Sequence, residues 1–246
     1  MSAYRIALIS DLHGNELAVR RVLRDIGRIG VDQIACLGDV ATLGPRPREV
    51  LAMVHESCDL FIQGNHDEYL FDPSKLPSHT ASPQVLGAVE QCRSELDPEQ
   101  LELVKNFEPR ISVPLPNGNA LLLFHGSPDA NDRDLLSETP EAELAAHLAD
   151  HSATLLAGGH THIQMLRQHR GRLLINPGSV GLAFERFVSG APPRLMPHAE
   201  YAIVESRSHD ISVALHRVEL DRAALAASVR GWDNPLAGYL AAQYAA

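Results

Sequence analysis

The chain has 246 residues, 45% of them hydrophobic and 21% charged, a composition typical of a folded globular domain and not of a disordered chain, a collagen or a coiled coil. The 31 acidic residues outnumber the 21 Lys and Arg residues, and the resulting formal charge of −10 argues against a surface that binds extended nucleic acid. No apolar run reaches the roughly 18 residues that cross a bilayer, and the short apolar stretch before Asp11 is not typical of a secretory signal. We therefore predict a cytoplasmic protein without a membrane partner, and we make no prediction of its oligomeric state.

Strands and helices alternate along the first 175 residues. Residues 4–10 form a near-continuous apolar run of strand length, and Ala18, Val22 and Ile26 then recur at helical spacing. This alternation predicts an α/β fold that begins with parallel strands. Further strands are predicted at 33–37, 59–63, 120–124, 154–157 and 173–175, and further helices begin at Pro47 and Pro140.

The pattern becomes antiparallel after Ile163. One hairpin is predicted to turn near Arg170-Gly171, and a second near His209-Asp210, between strands at 201–205 and 211–218. The second half of the chain therefore adds an antiparallel meander to the sheet system.

Three segments depart from the alternation, although the whole chain, 1–246, is predicted to be a single domain. Residues 68–118 are proline-rich and partly helical, and we interpret them as an insertion or lid. Residues 189–198 are predicted to be a mobile loop. Residues 221–246 are an alanine-rich helical tail with a break at Asn234-Pro235.

Polar clusters follow the predicted strands directly. Because ligands of α/β sheets bind outside the carboxyl ends of the strands, these clusters are expected to converge into one site. The clusters are Asp11-Leu12-His13-Gly14, Gly38-Asp39, Gly64-Asn65-His66-Asp67, His125-Gly126, Gly158-Gly159-His160-Thr161-His162 and Asn176-Pro177-Gly178-Ser179.

These clusters contain the ligand types of a transition-metal site. Histidine is frequent, at 13 residues, whereas the three cysteines are scattered outside the clusters and are predicted to be reduced, mostly buried thiols. Carboxylate, amide and imidazole ligands without thiolate suit Mn, Fe, Co, Ni or Zn in a hydrolytic site. About seven candidate ligands are too many for one ion, so we predict two ions bridged by a carboxylate. Two divalent ions, two carboxylates and a bridging hydroxide sum to roughly +1, which would attract a phosphate.

The order of the clusters is more specific than any one of them. The blocks D-x-H, G-D, G-N-H-D, a lone H and G-H-x-H follow one another between residues 11 and 162. This set resembles the calcineurin-like metallophosphoesterase superfamily, and the N-P-G-S block at 176–179 is similar to its small bacterial and archaeal phosphodiesterase branch. The resemblance implies a β-sandwich of two mixed sheets flanked by helices, in four α/β/β/α layers, where the strand pattern alone implied a single sheet.

The resemblance also assigns residues to roles. It implies that His66 is the general acid beside the leaving group, that Asp67 orients and polarises His66, and that Gly178 and Ser179 support the backbone of the site. The cations would be Mn, with Fe, Ni, Co or Zn as alternatives. The metal ligands would be Asp11, His13 and His162 for one ion, Asn65, His125 and His160 for the other, and Asp39 as the bridge.

The implied reaction is hydrolysis of a phosphoester by in-line attack of the metal-bridging hydroxide. A phosphodiesterase is the preferred interpretation, and a phosphomonoesterase or dinucleoside polyphosphate hydrolase is an alternative with the same site. A non-catalytic interaction scaffold, like the retromer subunit that resembles this family, is an alternative of another class. The intact His66 and the intact ligand set argue against a scaffold.

Substrate selection is expected to involve residues beside the motif blocks. Tyr69, Phe184 and Arg186 could border the cleft, where an aromatic ring would stack on a base and an arginine would bind a phosphate of a small substrate such as a nucleotide. The competing interpretation is surface packing and a solvated arginine. We interpret Asp132-Arg133-Asp134 as a solvated loop, and the eight histidines outside the blocks receive no role: His55, His79, His147, His151, His169, His198, His209 and His216.

Overall fold

A computed structural model of the protein describes residues 3–116, 118–148, 151–188, 190–208 and 210–245. Within them the strands form two five-stranded mixed sheets, which confirms the fold class expected from the sequence. The spatial order of the first sheet is β10 (Ile211–Glu219), β9 (His198–Ser206), β1 (Tyr4–Ile9), β2 (Gln33–Cys36) and β3 (Leu60–Phe61). In this sheet β1, β2 and β3 pair in parallel, and β9 pairs antiparallel with both β1 and β10.

The second sheet has the same mixed character. Its spatial order is β4 (Ile111–Pro114), β5 (Ala120–Leu123), β6 (Leu155–Ala157), β8 (Arg172–Asn176) and β7 (Met165–His169). Strands β5, β6 and β8 pair in parallel, whereas β4 and β7 pair antiparallel at the two edges.

Helices cover both sheets and fill the long connections. The α-helices of the described residues are α1 (Glu16–Ile29), α2 (Pro47–Ser57), α3 (Asn65–Phe71), α4 (Leu76–His79), α5 (Pro83–Glu95), α6 (Pro98–Lys105), α7 (Glu141–Leu148), α8 (Arg222–Arg230) and α9 (Ala237–Ala245). A short 3-10 helix, Pro73–Lys75, lies between α3 and α4.

The four-layer arrangement explains why β1 is apolar at nearly every position. Ile6 and Leu8 point between the sheets, in a cluster with Leu121, Leu123 and other side chains of the second sheet. Alternate residues of a strand face opposite sides of the sheet, so Ala7 and Ile9 pack against the outer helices. A strand buried on both faces needs this continuous apolar run.

The outer layers are the helices on each sheet. Val22 and Ile26 of α1 and Val50 of α2 pack on the first sheet. Leu144 and Leu148 of α7 pack on the second sheet. Among the described residues, no helix combines the length and the apolarity needed to cross a membrane.

The structure changes two of the segment boundaries inferred from the sequence. Residues Ile111–Pro114 of the predicted insertion form β4, an edge strand of the second sheet. His198, the last residue of the predicted mobile loop, is the first residue of β9. The hairpin between β9 and β10 is present as predicted, although His209 at its turn lies outside the described residues.

Candidate metal centre

The six polar loops meet at one end of the sandwich. Asp11, on a loop of the first sheet, has its Oδ1 atom 3.9 Å from Nε2 of His125, which follows a strand of the second sheet. The two sheets therefore present the carboxyl ends of their parallel strands to a common space, and the seven predicted ligands surround it. Each ligand follows its strand within a few residues: Asp11 and His13 after β1, Asp39 after β2, Asn65 after β3, His125 after β5, and His160 and His162 after β6.

The first ligand group consists of Asp11, His13 and His162, whose donor atoms lie within 4.8 Å of one another. His162 Nε2 lies 3.1 Å from His13 Nε2 and 3.3 Å from Asp11 Oδ1. His162 Nδ1 donates to the Leu182 carbonyl at 2.7 Å, and His13 Nδ1 lies 3.3 Å from Thr42 Oγ1. Because Nδ1 of each ring has a partner, Nε2 is the nitrogen that faces the centre.

The second ligand group consists of Asn65, His125 and His160. Asn65 Oδ1 lies 3.1 Å from His125 Nε2 and 3.0 Å from His160 Nδ1. His125 Nδ1 donates to the Leu37 carbonyl at 2.6 Å, so its Nε2 is directed inward. The Asn65 amide group donates to Tyr69 Oη at 3.2 Å, which turns the amide oxygen toward the centre.

Asp39 lies between the two groups. Its Oδ2 atom is 3.4 Å from His125 Nε2 and 3.7 Å from His13 Nε2. Its Oδ1 atom accepts a hydrogen bond from the His66 backbone N–H at 2.9 Å. One carboxylate oxygen therefore faces ligands of both groups, the position that a bridging ligand requires.

Several of these ligands have a strained backbone. A left-handed conformation costs a residue with a side chain about 1–2 kcal/mol, and such residues concentrate at functional sites. Adjacent loops pack closely enough to hold this backbone conformation. A Cβ on Gly64 would lie 2.1 Å from Asp39 Oδ1, and one on Gly159 would lie 2.6 Å from Asp11 Oδ2. The left-handed ligands, with φ between 46° and 68°, are Asp11, His13, Asp39, His160 and His162.

Burial and mutual charge set the protonation of the centre. Burial opposes ionisation of Asp39, but His125 and His66 hold the pKa of this carboxyl well below its usual range. Burial also opposes the charged form of His125, but Asp39 and Asp11 outweigh it and raise the pKa of His125 to about 10. Burial and the nearby His162 lower the pKa of His13 to about 4. A proton on His125 thus compensates the carboxylates, and a cation binding there would compete with it.

The residues fit divalent cations. Asp11 Oδ1 is buried and faces His162 Nε2 at 3.3 Å and His125 Nε2 at 3.9 Å, so its negative charge requires compensation by a protonated imidazole or by a cation. The donors around it are carboxylate oxygens, an amide oxygen and imidazole nitrogens, and the three cysteines are free and buried elsewhere. This donor set suits transition metals of the Mn to Zn series.

His66 lies at the margin of the first ligand group. Its ring centroid is 5.2 Å from that of His13 and 5.6 Å from that of His79, and its Nδ1 atom has no hydrogen-bond partner among the described residues. Burial lowers the pKa of His66 well below its usual range, although Asp39 opposes this shift. His66 is therefore neutral here, and the proton that a general acid needs must be stabilised by a bound anion.

The Asp67 carboxylate lies against the backbone of the loops after β2 and β3. Its carboxylate does not contact the His66 ring but accepts three backbone N–H groups, from Asp39 at 2.7 Å, Val40 at 2.9 Å and Gly64 at 2.9 Å. The physical reason is its place in the first turn of α3, where the side chain points to the loops after β2 and β3. Asp67 thus holds the backbone at Asp39, and its expected action on His66 stays a prediction.

The three residues expected to bind substrate occupy different environments. Tyr69 is buried at 3% exposure, with its hydroxyl on Asn65. The Phe184 ring lies 4.2 Å from the His162 ring, and Phe184 also packs against the cluster formed by the C-terminal helices. Arg186 is exposed. Tyr69 and Phe184 therefore support ligands, and Arg186 is the one of the three with an exposed side chain.

The N-P-G-S loop contacts the loop that carries Asp11 through the Ser179 side chain. The Ser179 hydroxyl donates to the Asp11 carbonyl at 2.7 Å and accepts from the Leu182 N–H at 2.8 Å. Asn176 donates to the Gly159 carbonyl at 2.7 Å. These bonds connect the loops that carry the ligands of both sheets.

The sequence interpretation missed two neighbours of the centre. Asp134, interpreted as solvated, has Oδ1 3.3 Å from His160 Nε2. His79, which received no role, has its ring 5.5 Å from that of Tyr69 and 6.3 Å from that of His160. No motif marks either residue, because each reaches the centre through the folding of a long connection.

Comparisons with known proteins identify a family and several similar proteins. A family model described as the calcineurin-like phosphoesterase superfamily domain matches residues 4–205. The chain is 26% identical over 224 residues to the uncharacterized protein MJ0912 of Methanocaldococcus jannaschii. The aligned region covers 88% of each chain.

Two solved structures are also similar. A metallophosphoesterase from Sphaerobacter thermophilus has a TM-score of 0.77 and 28% identity, covering 98% of this chain and 99% of that one. The hypothetical protein PH1004 from Pyrococcus horikoshii OT3 shares the fold, with a TM-score of 0.74 and 17% identity over 90% of each chain. The family model covers most of the sequence, and the structure contains the two candidate ligand groups. The chain therefore belongs to the calcineurin-like phosphoesterase superfamily of metal-dependent phosphoester hydrolases.

Proposed function

We propose that the protein is a dinuclear-metal-dependent phosphodiesterase that acts on a small substrate such as a nucleotide. The observation that carries the proposal is Asp39, whose Oδ2 atom faces ligands of both groups while its Oδ1 atom binds the backbone of His66. With this arrangement the two ligand groups would hold a pair of cations, shared at Asp39, beside a candidate proton donor. We propose Mn²⁺ as the cation, with Fe, Ni, Co and Zn as alternatives that the same donors accept.

The protein side chains have distinct tasks in this reaction. Cations bound by the two ligand groups would supply Lewis acidity, which activates a water molecule and neutralises charge on the phosphoryl oxygens. His13, His125 and His162 are held by partners at their outer nitrogens, so the ligand frame is organised before substrate binds. Asp67 contributes by fixing the backbone at Asp39.

His66 is the proposed general acid. Its neutral state in the buried site agrees with this role if the phosphoester itself supplies the negative charge that stabilises a proton on the ring. The proton would pass to the departing alkoxide oxygen, which matters most when that oxygen is strongly basic.

The charge of the surroundings supports a diester over a monoester. Asp134 Oδ1 lies 3.3 Å from Nε2 of the candidate ligand His160. Near this carboxylate, a diester with one negative charge meets less repulsion than a monoester with two. A cytoplasmic location is part of the proposal, and the three free cysteines support it.

The test is hydrolysis of bis-p-nitrophenyl phosphate and p-nitrophenyl phosphate by metal-stripped protein before and after addition of Mn²⁺, with Asp39→Asn as the control. We expect faster turnover of the diester, dependent on Mn²⁺ and lost in the variant. Preference for the monoester would replace the proposal by a phosphomonoesterase or polyphosphate hydrolase. Absence of turnover with every divalent metal tested, on a wider panel of diesters, would overturn it in favour of an interaction scaffold.

A further inference from the structure

The four ligand histidines differ in what holds their outer nitrogens. His125 and His162 donate to backbone carbonyls, and His13 lies against a buried hydroxyl. Of these four, only His160 has a carboxylate at its outer nitrogen: its Nε2 is 3.3 Å from Asp134 Oδ1. A carboxylate behind a metal-binding imidazole fixes its tautomer and raises its basicity, and such partners are worth about 10- to 100-fold in metal affinity.

The contact specifies which nitrogen of His160 can bind a cation. Nδ1 faces the centre, 3.0 Å from Asn65 Oδ1. When Nε2 carries the proton and donates it to Asp134, the lone pair on Nδ1 is free for a cation. This is the reverse of His13, His125 and His162, which present Nε2 inward.

The loop that carries Asp134 is anchored on both sides of the contact. The backbone at Asn131 and Arg133 packs on Gly126, where a Cβ would lie 2.7 Å from the Asn131 carbonyl oxygen and 2.6 Å from the Arg133 nitrogen. Leu135 is buried at 4% exposure among the side chains under α7. Asp134 itself has a side chain 46% exposed, so the loop fixes its place while one side of the carboxylate meets solvent.

We propose that Asp134 is a positioning residue that orients His160 and strengthens cation binding by the second ligand group. The proposal rests on the dinuclear centre of the proposed function. A surface loop would then determine the cation affinity of one of the two sites.

The test is Mn²⁺ binding to the metal-stripped full chain, measured by isothermal titration calorimetry. Asp134→Ala removes the acceptor, Asp134→Asn keeps an acceptor but removes the charge, and Asp132→Ala is the matched control from the same loop. We expect Asp134→Ala to weaken one of two Mn²⁺ sites by about 10- to 100-fold, Asp134→Asn to weaken it less, and Asp132→Ala to change both sites by less than about threefold.

Kinetics provide the second readout. At saturating Mn²⁺ we expect Asp134→Ala to retain most of its kcat, with the loss appearing in the Mn²⁺ concentration needed for half-maximal rate. If Asp134→Ala binds two Mn²⁺ ions with the same affinities as the wild-type protein, this inference is overturned and the proposed function is unaffected. Failure of the wild-type protein to bind two Mn²⁺ ions would instead overturn the proposed function on which the inference rests.

Discussion

The two ligand groups are similar in composition but differ in what lies behind them. The first group is backed by the interior: Thr42 is fully buried, and Leu182 packs into the cluster formed with α8 and α9. The second group is backed partly by the interior, through the Leu37 carbonyl, and partly by the half-exposed Asp134.

This difference separates substitutions that lower the stability of the fold from substitutions that change only the cation affinity. A change behind the first group leaves buried polar atoms without partners and costs stability as well as cation binding. A change at Asp134 alters a solvated carboxylate, and surface substitutions of this kind typically change stability by less than about 0.5 kcal/mol. Cation affinity can therefore be adjusted at the second group without loss of the fold.

Asp39→Asn is expected to have the largest effect, because its carboxylate faces both groups. Loss of several kcal/mol of electrostatic stabilisation corresponds to a fall of about a thousandfold or more in kcat/KM. Steady-state kinetics together with the Mn²⁺ content of the purified variant measure it. Asp11→Asn, in the first group alone, should retain one Mn²⁺; if both variants retain the same number of ions, Asp39 is not shared.

His66→Ala is expected to have the next largest effect, although His66 belongs to neither ligand group. We expect kcat to fall by about a hundredfold or more on diesters with alkyl leaving groups, and far less with nitrophenolate, which departs without a proton. Mn²⁺ affinity should be unchanged. Equal losses on both substrate types would remove the general-acid assignment.

Ser179→Ala tests the backing of the first group. Its hydroxyl joins the Asp11 carbonyl to the Leu182 N–H, and its loss leaves that buried N–H without a partner. We expect the free energy of unfolding to fall by about 1–3 kcal/mol, measured by urea denaturation of metal-stripped protein. In the same assay Asp134→Ala should change it by less than about 0.5 kcal/mol. Similar losses for the two variants would contradict the distinction between the groups.

The last expected effect is a pH dependence of stability to which buried, charged histidines contribute: His125 of the second group, and His162 of the first, whose pKa Asp11 raises against the effect of burial. The pKa of His125 is raised to about 10 by Asp39 and Asp11 against the effect of burial, and the usual value in an unfolded chain is about 6.5. The stability supplied by charged His125 is therefore complete below about pH 6.5 and is lost as the pH rises through about 10. Metal-stripped protein should show a Tm that declines over this window, measured by calorimetry.

Two variants give the controls for this decline. His125→Asn should reduce it and leave the part that charged His162 supplies. His13→Asn should not reduce it, because the pKa of His13 is lowered to about 4 by burial and His162, so His13 is neutral across the same window. Parallel declines in wild type and His125→Asn would assign the effect to other groups.

Much of the fold and of the ligand set could be predicted because local sequence determines them. The two-sided burial of β1 requires the apolar run at 4–9, and each ligand follows a strand end directly. Strand β4 was missed because Pro114 and its short length at a sheet edge give it no strand pattern. The partners of Asp67 and Asp134 were missed for another reason: they depend on how separate loops pack, which spacing along the chain does not encode.

The left-handed backbone at five ligands also bears on the size of the cations that the centre retains. Close contacts at Gly64 and Gly159 hold this backbone, so the frame has little freedom to expand. Ca²⁺ takes ligands at about 2.3–2.6 Å and prefers flexible sites, whereas Zn²⁺ binds nitrogen and oxygen at about 2.0–2.2 Å. We expect ionic radius, in addition to donor chemistry, to exclude Ca²⁺ from the centre.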